Sequence, residues 1–139
     1  MPLYTVTTPK SLPNSRRVEL ANLIMNVHCG LTGAPETFVN VMFWENATLN
    51  DGVAMHVYGG IRKGRTAEMR ETLEKEMARR ICQLMILTDK ELETDMFEMP
   101  AQWIMEGGEI LPEPGEEHLC EWLQNGHGTE HNQKSFISS

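Results

Sequence analysis

Apolar and polar residues recur along the chain with two periods, and each stretch predicts an element. Leu3 to Thr8 (Leu-Tyr-Thr-Val-Thr-Thr) is a short β-prone run closed by Pro9 and Pro13. Val18, Leu20, Ala21, Leu23, Ile24, Val27 and Leu31 then return at helical spacing, with Asn14 or Ser15 able to cap and Gly30 placed as the stop. Thr32-Gly33-Ala34-Pro35 reads as a turn. Phe38 to Glu45 reads as a strand, with Phe38, Met42 and Trp44 on one face and Val39, Val41 and Phe43 on the other. A strand apolar on both faces needs cover on both sides.

After the polar stretch Asn46–Gly52 the pattern repeats. Val53 to Tyr58 is a predicted strand, and Gly59-Gly60 and Lys63-Gly64 bracket a predicted loop. Thr66 can cap a helix running to about Leu87, with Met69, Leu73, Met77, Ile81, Leu84 and Met85 on one stripe. A methionine-rich stripe can serve as an adaptable binding surface, but a core face is the expectation here. Glu91 to Glu98 completes the second unit as an acidic strand.

The order is therefore β-α-β twice, offset by about 51–53 residues. Two right-handed units side by side predict an α+β fold: a four-stranded mixed sheet with both helices on one face. The other face stays open in a single chain. The doubly apolar strand says that it too is covered, which points to an oligomer. Beyond the sheet, Pro100 suits the first position of a helix that Gly107 ends within two turns. Leu111-Pro112-Glu113-Pro114-Gly115 is a rigid loop, Glu116 to Gln124 a last short helix, and the chain from Gly126 onward is polar. One domain over residues 1–125 is expected, its halves at about 2–46 and 53–98, followed by a flexible tail over 126–139.

Composition narrows the function. The 139 residues carry a net charge of −8 and a pI near 5.1, which excludes a uniformly basic nucleic-acid-binding surface. No export leader and no membrane-length apolar run are expected. Cys29, Cys82 and Cys120 stand far apart in no CxxC pattern, as reduced thiols of a cytoplasmic protein do. The five histidines show no metal-ligand spacing; His127 and His131 are four apart, but Gly126 and Gly128 oppose a helix there. No cofactor is expected.

The candidate chemistry begins at Pro2. If Met1 is trimmed, Pro2 becomes a secondary amine at the N-terminus, and burial would lower its pKa toward neutrality. Such an amine can move protons or attack a carbonyl. Arg62 and Arg65 around Gly64 read by position as a solvated loop between strand and helix, though Arg65 lies just before the Thr66 cap, where a helix N-terminus adds to an anion site. By position alone, His28 reads as a helix C-terminal histidine stabilised by the dipole, and Glu106 as an exposed carboxylate before Gly107-Gly108.

These pieces carry a family likeness. Met1-Pro2, the duplicated β-α-β, Val27-His28-Cys29-Gly30-Leu31-Thr32-Gly33, Arg62-Lys63-Gly64-Arg65, Met99-Pro100-Ala101-Gln102 with Glu106, and Leu111-Pro112-Glu113-Pro114-Gly115 occur in one order. Together, over roughly Pro2 to Leu123, they resemble the tautomerase superfamily, and within it the cis-3-chloroacrylic acid dehalogenase group related to 4-oxalocrotonate tautomerase. The resemblance implies a trimer with the amino-terminal proline in a pocket at the sheet. It implies that Pro2 is the catalytic acid or base, that Arg62 and Arg65 hold a substrate carboxylate, that His28 helps, and that Glu106 activates water.

One position departs from the pattern. The hydratase and dehalogenase members place a tyrosine on the last strand as the glutamate's partner in orienting water; that position is Asp95 here, and no tyrosine follows Tyr58. Asp95 can accept a hydrogen bond or raise a neighbouring carboxyl pKa, but it cannot donate as a phenol does. The favoured expectation is keto–enol tautomerisation of a small carboxylic acid, which needs only the proline and the anion clamp. The alternatives are hydration or dehalogenation of 3-substituted acrylic or propiolic acids with Glu106 as base, and a non-catalytic trimeric binding protein. The expected partners are the small carboxylate substrate and further copies of the chain, not nucleic acid or membrane.

Overall fold

The computed structural model describes residues 2–113; the predicted helix at Glu116–Gln124 and the polar tail lie outside the described residues. Two helices lie on one face of a four-stranded mixed sheet, as the doubled pattern predicts. The first unit is β1 (Leu3–Thr7), α1 (Asn14–Thr32) and β2 (Asn40–Trp44). The second is β3 (Met55–Arg62), α2 (Ala67–Met85) and β4 (Leu92–Met99). Spatial order is β2-β1-β3-β4. Each unit's strands pair in parallel, and the two units join through the antiparallel β1–β3 pair, with Leu3 opposite Gly60 and Val6 opposite Val57. Leu3 against Met55, Asn14 against Ala67, and Asn40 against Leu92 repeat with nearly the same offset.

Strand alternation sorts the side chains. Tyr4 and Val6 of β1 and Met55, Val57 and Ile61 of β3 point at the helices. They meet Leu20, Ile24 and Val27 of α1 and Leu73, Met77 and Ile81 of α2 in one buried cluster. The methionine-rich stripe of α2 is thus core. Removing such side chains from water supplies the main driving force, about 25 cal/mol per Å² of apolar surface. The acidic β4 is accommodated because its helix-facing polar residues find partners on α2: Thr94 Oγ1 donates to Glu74 at 3.0 Å, and Glu98 pairs with Arg70 at 3.2 Å. Among the described residues no helix covers the other face of the sheet, and there Leu3, Met42, Trp44, Tyr58 and Phe97 are exposed.

Several boundaries differ from expectation. α1 runs past Gly30 and stops at Gly33, whose φ of 76° supplies the left-handed cap. Gly30 has no such conformation, and a helix tolerates it as an interior residue. At the other end neither Asn14 nor Ser15 caps; the Pro13 carbonyl receives the amides of Arg16 and Arg17. Phe38 belongs to a 3-10 turn (Glu36–Phe38) that delivers the chain to β2. Gly59 and Gly60 lie inside β3 rather than in a loop. A Cβ on Gly59 would stand 2.6 Å from Met96 Sδ and 2.7 Å from Tyr4 Cε1, so the glycine leaves room for the tyrosine ring.

The predicted helix after Pro100 is only a 3-10 turn (Ala101–Trp103). A hairpin follows, β5 (Met105–Glu106) and β6 (Glu109–Ile110). Gly107 and Gly108 take φ of 62° and 81°, the pair of positive values a tight two-residue hairpin turn needs. One helical turn cannot repay its nucleation cost, whereas two glycines form this turn freely.

Candidate active site

The connections bring the candidate residues to one end of the sheet. β1 starts there, β3 and β4 end there with Arg62 opposite Met99, α1 ends there, and α2 begins there. The Pro2 carbonyl accepts the Asn40 amide at 3.0 Å, which pins the chain start beside β2. Pro2 is buried and, by alternation, on the same face as Tyr4.

His28 sits one turn before the end of α1, where its ring points inward. It is 1% exposed, and its Nδ1 lies 2.7 Å from the Tyr4 hydroxyl. The two rings meet edge to face, with centroids 5.6 Å apart. Thr32 Oγ1 donates to the His28 carbonyl at 2.7 Å and tightens the last turn. Burial first, and then the Arg65 cation, lower the His28 pKa to about 4, so the imidazole is neutral near pH 7. The position-based reading of His28 as a protonated helix-end histidine is therefore overturned. Desolvation outweighs the helix dipole, which is worth no more than about 2 kcal/mol.

Arg62 ends β3. Gly64, with φ of 119°, turns the chain, and Arg65 precedes Thr66, whose Oγ1 accepts the Met69 amide at 3.1 Å as the cap of α2. Burial, and then the charge of Arg62, pull Arg65 below its ordinary pKa. An arginine nonetheless stays charged. The same cation acts on the Tyr4 hydroxyl, which burial pushes upward in pKa. Among the described residues, three buried side-chain nitrogens have no hydrogen-bond partner: His28 Nε2, Arg65 Nε and Arg70 Nε, the last of which faces Glu98 Oε2 at 3.2 Å as an ion pair. Such groups each cost about 1–3 kcal/mol if left unpaired, and those of His28 and Arg65 fall together beside Tyr4.

Glu106 is half-buried on β5, in the hairpin that follows β4. Asp95 is placed elsewhere in the single chain. It stands on the open face of the sheet, 68% exposed, with its Oδ2 2.8 Å from His56 Nε2. The structure thus gathers His28, Arg62 and Arg65 with Tyr4, and holds Asp95 apart from them. Tyr4 was missed in the sequence, although its position two residues from Pro2 in an alternating strand puts a hydroxyl on a core face, where it needs a partner. Among the described residues, no three His, Cys, Asp or Glu side chains could hold a metal ion.

The architecture is the α+β fold of the tautomerase superfamily, in agreement with the likeness seen in the sequence. No family model matches the chain, and no curated protein matches it. Among solved structures, it is similar to N1, a member of the cis-3-chloroacrylic acid dehalogenase family, over 98% of both chains at 23% identity and a TM-score of 0.78. It is also similar to Ps01740, at 27% identity over 75% of this chain and 99% of that one, with a TM-score of 0.68. A fused 4-OT solved as an asymmetric trimer superimposes at a TM-score of 0.70, with 16% identity over 78% of this chain and 94% of that one.

Proposed function

We propose that this chain is an enzyme of the tautomerase superfamily that moves a proton on a small 2-oxo, enol or unsaturated carboxylic acid. The observation that carries this reading is the pair of unpartnered buried nitrogens on His28 and Arg65. They lie at the sheet end where Pro2 leads into β1. Arg65, with Arg62 and His28, holds the substrate carboxylate, and Pro2 works on the atoms beyond it.

Keto–enol tautomerisation is the favoured reaction. The neutral Pro2 nitrogen removes the enol hydroxyl proton as the C–O bond becomes a carbonyl, and the carbon end of the former double bond takes a proton back. The guanidinium groups stabilise the enolate between the two steps. Water addition to a 3-substituted acrylic or propiolic acid is the second reading, favoured by the half-buried Glu106 on its hairpin. It uses Pro2 in the ammonium form, as the acid that protonates the carbon beside the carboxylate. A trimer is the proposed assembly. The exposed Leu3, Met42, Trp44, Tyr58 and Phe97 give the open face an apolar surface to cover, and a similar fused 4-OT forms a trimer.

The test begins with the intact mass of the purified protein, because only loss of Met1 frees Pro2; retention sinks catalysis by the amine. The rate of ketonisation of the enol of phenylpyruvate is then followed against pH. A rate that falls toward acid supports the base role, and a Pro2→Ala variant should lose activity by about 100-fold or more. If that variant keeps the full rate, the proposal fails. If instead a 3-halopropiolate leaves an adduct on Pro2 and activity falls toward alkali, hydration with Glu106 is the reaction.

A further inference from the structure

The bond that anchors His28 also decides what its ring can do. A neutral imidazole has one N–H and one bare nitrogen, and the partner of either fixes the role of the other. We propose that Tyr4 is a positioning residue that donates its hydroxyl hydrogen to His28 Nδ1 and so holds the ring in the Nε2–H tautomer, presenting that N–H beside Arg65 Nε–H to one substrate carboxylate. The proposal rests on the carboxylate reading above.

Three observations support it. The contact is short, 2.7 Å, and both residues are buried, the tyrosine completely, so water cannot replace either partner. If Nδ1–H donated instead, the Tyr4 hydrogen would need another acceptor, and of the two neighbours acting on that hydroxyl, Arg65 is a pure donor and the Cys29 thiol only a weak acceptor. Finally, His28 Nε2 and Arg65 Nε both lack partners. Were Nε2 a bare acceptor near a cation, a hydrogen bond between the two would remove both deficits. Two donors cannot satisfy each other, and a carboxylate oxygen satisfies both. Gly59 belongs to the same device, because a side chain there would collide with the Tyr4 ring that carries the hydroxyl.

Long-range proton–nitrogen NMR on the uniformly ¹⁵N-labelled full chain at pH 7 reads the tautomer directly. The expected native spectrum shows a bare Nδ1 and a protonated Nε2 for His28. In Tyr4→Phe, which keeps the ring volume, the Nδ1–H form should appear, and KM for the enol of phenylpyruvate should rise about tenfold while kcat changes far less. A native His28 with hydrogen on Nδ1 overturns the proposal, as does an unchanged tautomer in Tyr4→Phe. If that variant does not fold, the native tautomer alone decides. Arg65→Gln separates the two layers. If it leaves KM unchanged, the carboxylate reading fails whatever the tautomer. If it raises KM while Tyr4→Phe shifts the tautomer without raising KM, the clamp stands and the role of Tyr4 falls.

Discussion

Burial of a neutral His28 makes the stability of this protein fall with acid in a window where carboxylates are still silent. The ring has a folded-state pKa of about 4 against an ordinary 6.5. In the unfolded chain it takes a proton as pH drops through 6.5; in the folded chain it does not until about pH 4. The unfolded state therefore binds more protons in between, and stability is lost as pH falls through that interval. Working the linkage through, unfolding free energy drops by roughly 1 kcal/mol between pH 7.5 and 5.5, and by roughly 2–3 kcal/mol by pH 4.5. The cause is physical: a charged imidazole would lose its hydration at a site 1% exposed, beside the Arg65 cation. Ordinary aspartates and glutamates titrate near 4, so the upper part of the window belongs to histidine. The assay is urea unfolding at pH 7.5, 6.5 and 5.5 at one protein concentration, for the native chain and His28→Gln. The native protein should lose stability across the window and the variant should be nearly flat. Equal slopes for the two proteins would refute the reasoning.

Other outcomes follow from single positions. Gly59→Ala should destabilise the fold by about 1–3 kcal/mol, since its methyl group meets Met96 Sδ and the Tyr4 ring; thermal unfolding reads this, and an unchanged Tm sinks it. Ile86 caps the end of α2 with φ of 56° while 86% exposed, so Ile86→Gly should raise stability by about 1 kcal/mol in urea, because a β-branched residue is strained there and nothing is lost from the core. Thr66→Ala removes the acceptor for the Met69 amide and should cost about 1 kcal/mol, with Thr66→Asn restoring most of it. Both effects should appear as shifts in urea midpoint with unchanged m-value.

Much of the fold is legible in the chain because periodicity is a local property. Leu73, Met77 and Ile81 mark the core face of α2 by spacing alone, and the two β-α-β units announce themselves by recurring at a nearly constant offset. Element ends are less legible. Gly30 reads as the stop of α1 from its spacing, whereas the helix runs on to Thr32 and Gly33 takes the left-handed conformation. The segment after Pro100 has helix signals, yet Gly107-Gly108 turns it into a hairpin.

The candidate site divides along the same line. Pro2, Arg62 and Arg65 stand out in the sequence because their chemistry is unusual and their neighbours are short turns and a helix cap. His28 does not, since a histidine near a helix end is ordinarily a solvated cation. Its neutral state comes from the crossing of α1 over β1, which seats it against a tyrosine 24 residues earlier. The sequence by itself determined which elements form, that they form twice, and which faces are apolar, because those follow from spacing of 2 and 3.6 residues. The tertiary structure decided which polar groups meet in the dark at the sheet end, because desolvation and hydrogen-bond pairing depend on distances between residues far apart in the chain.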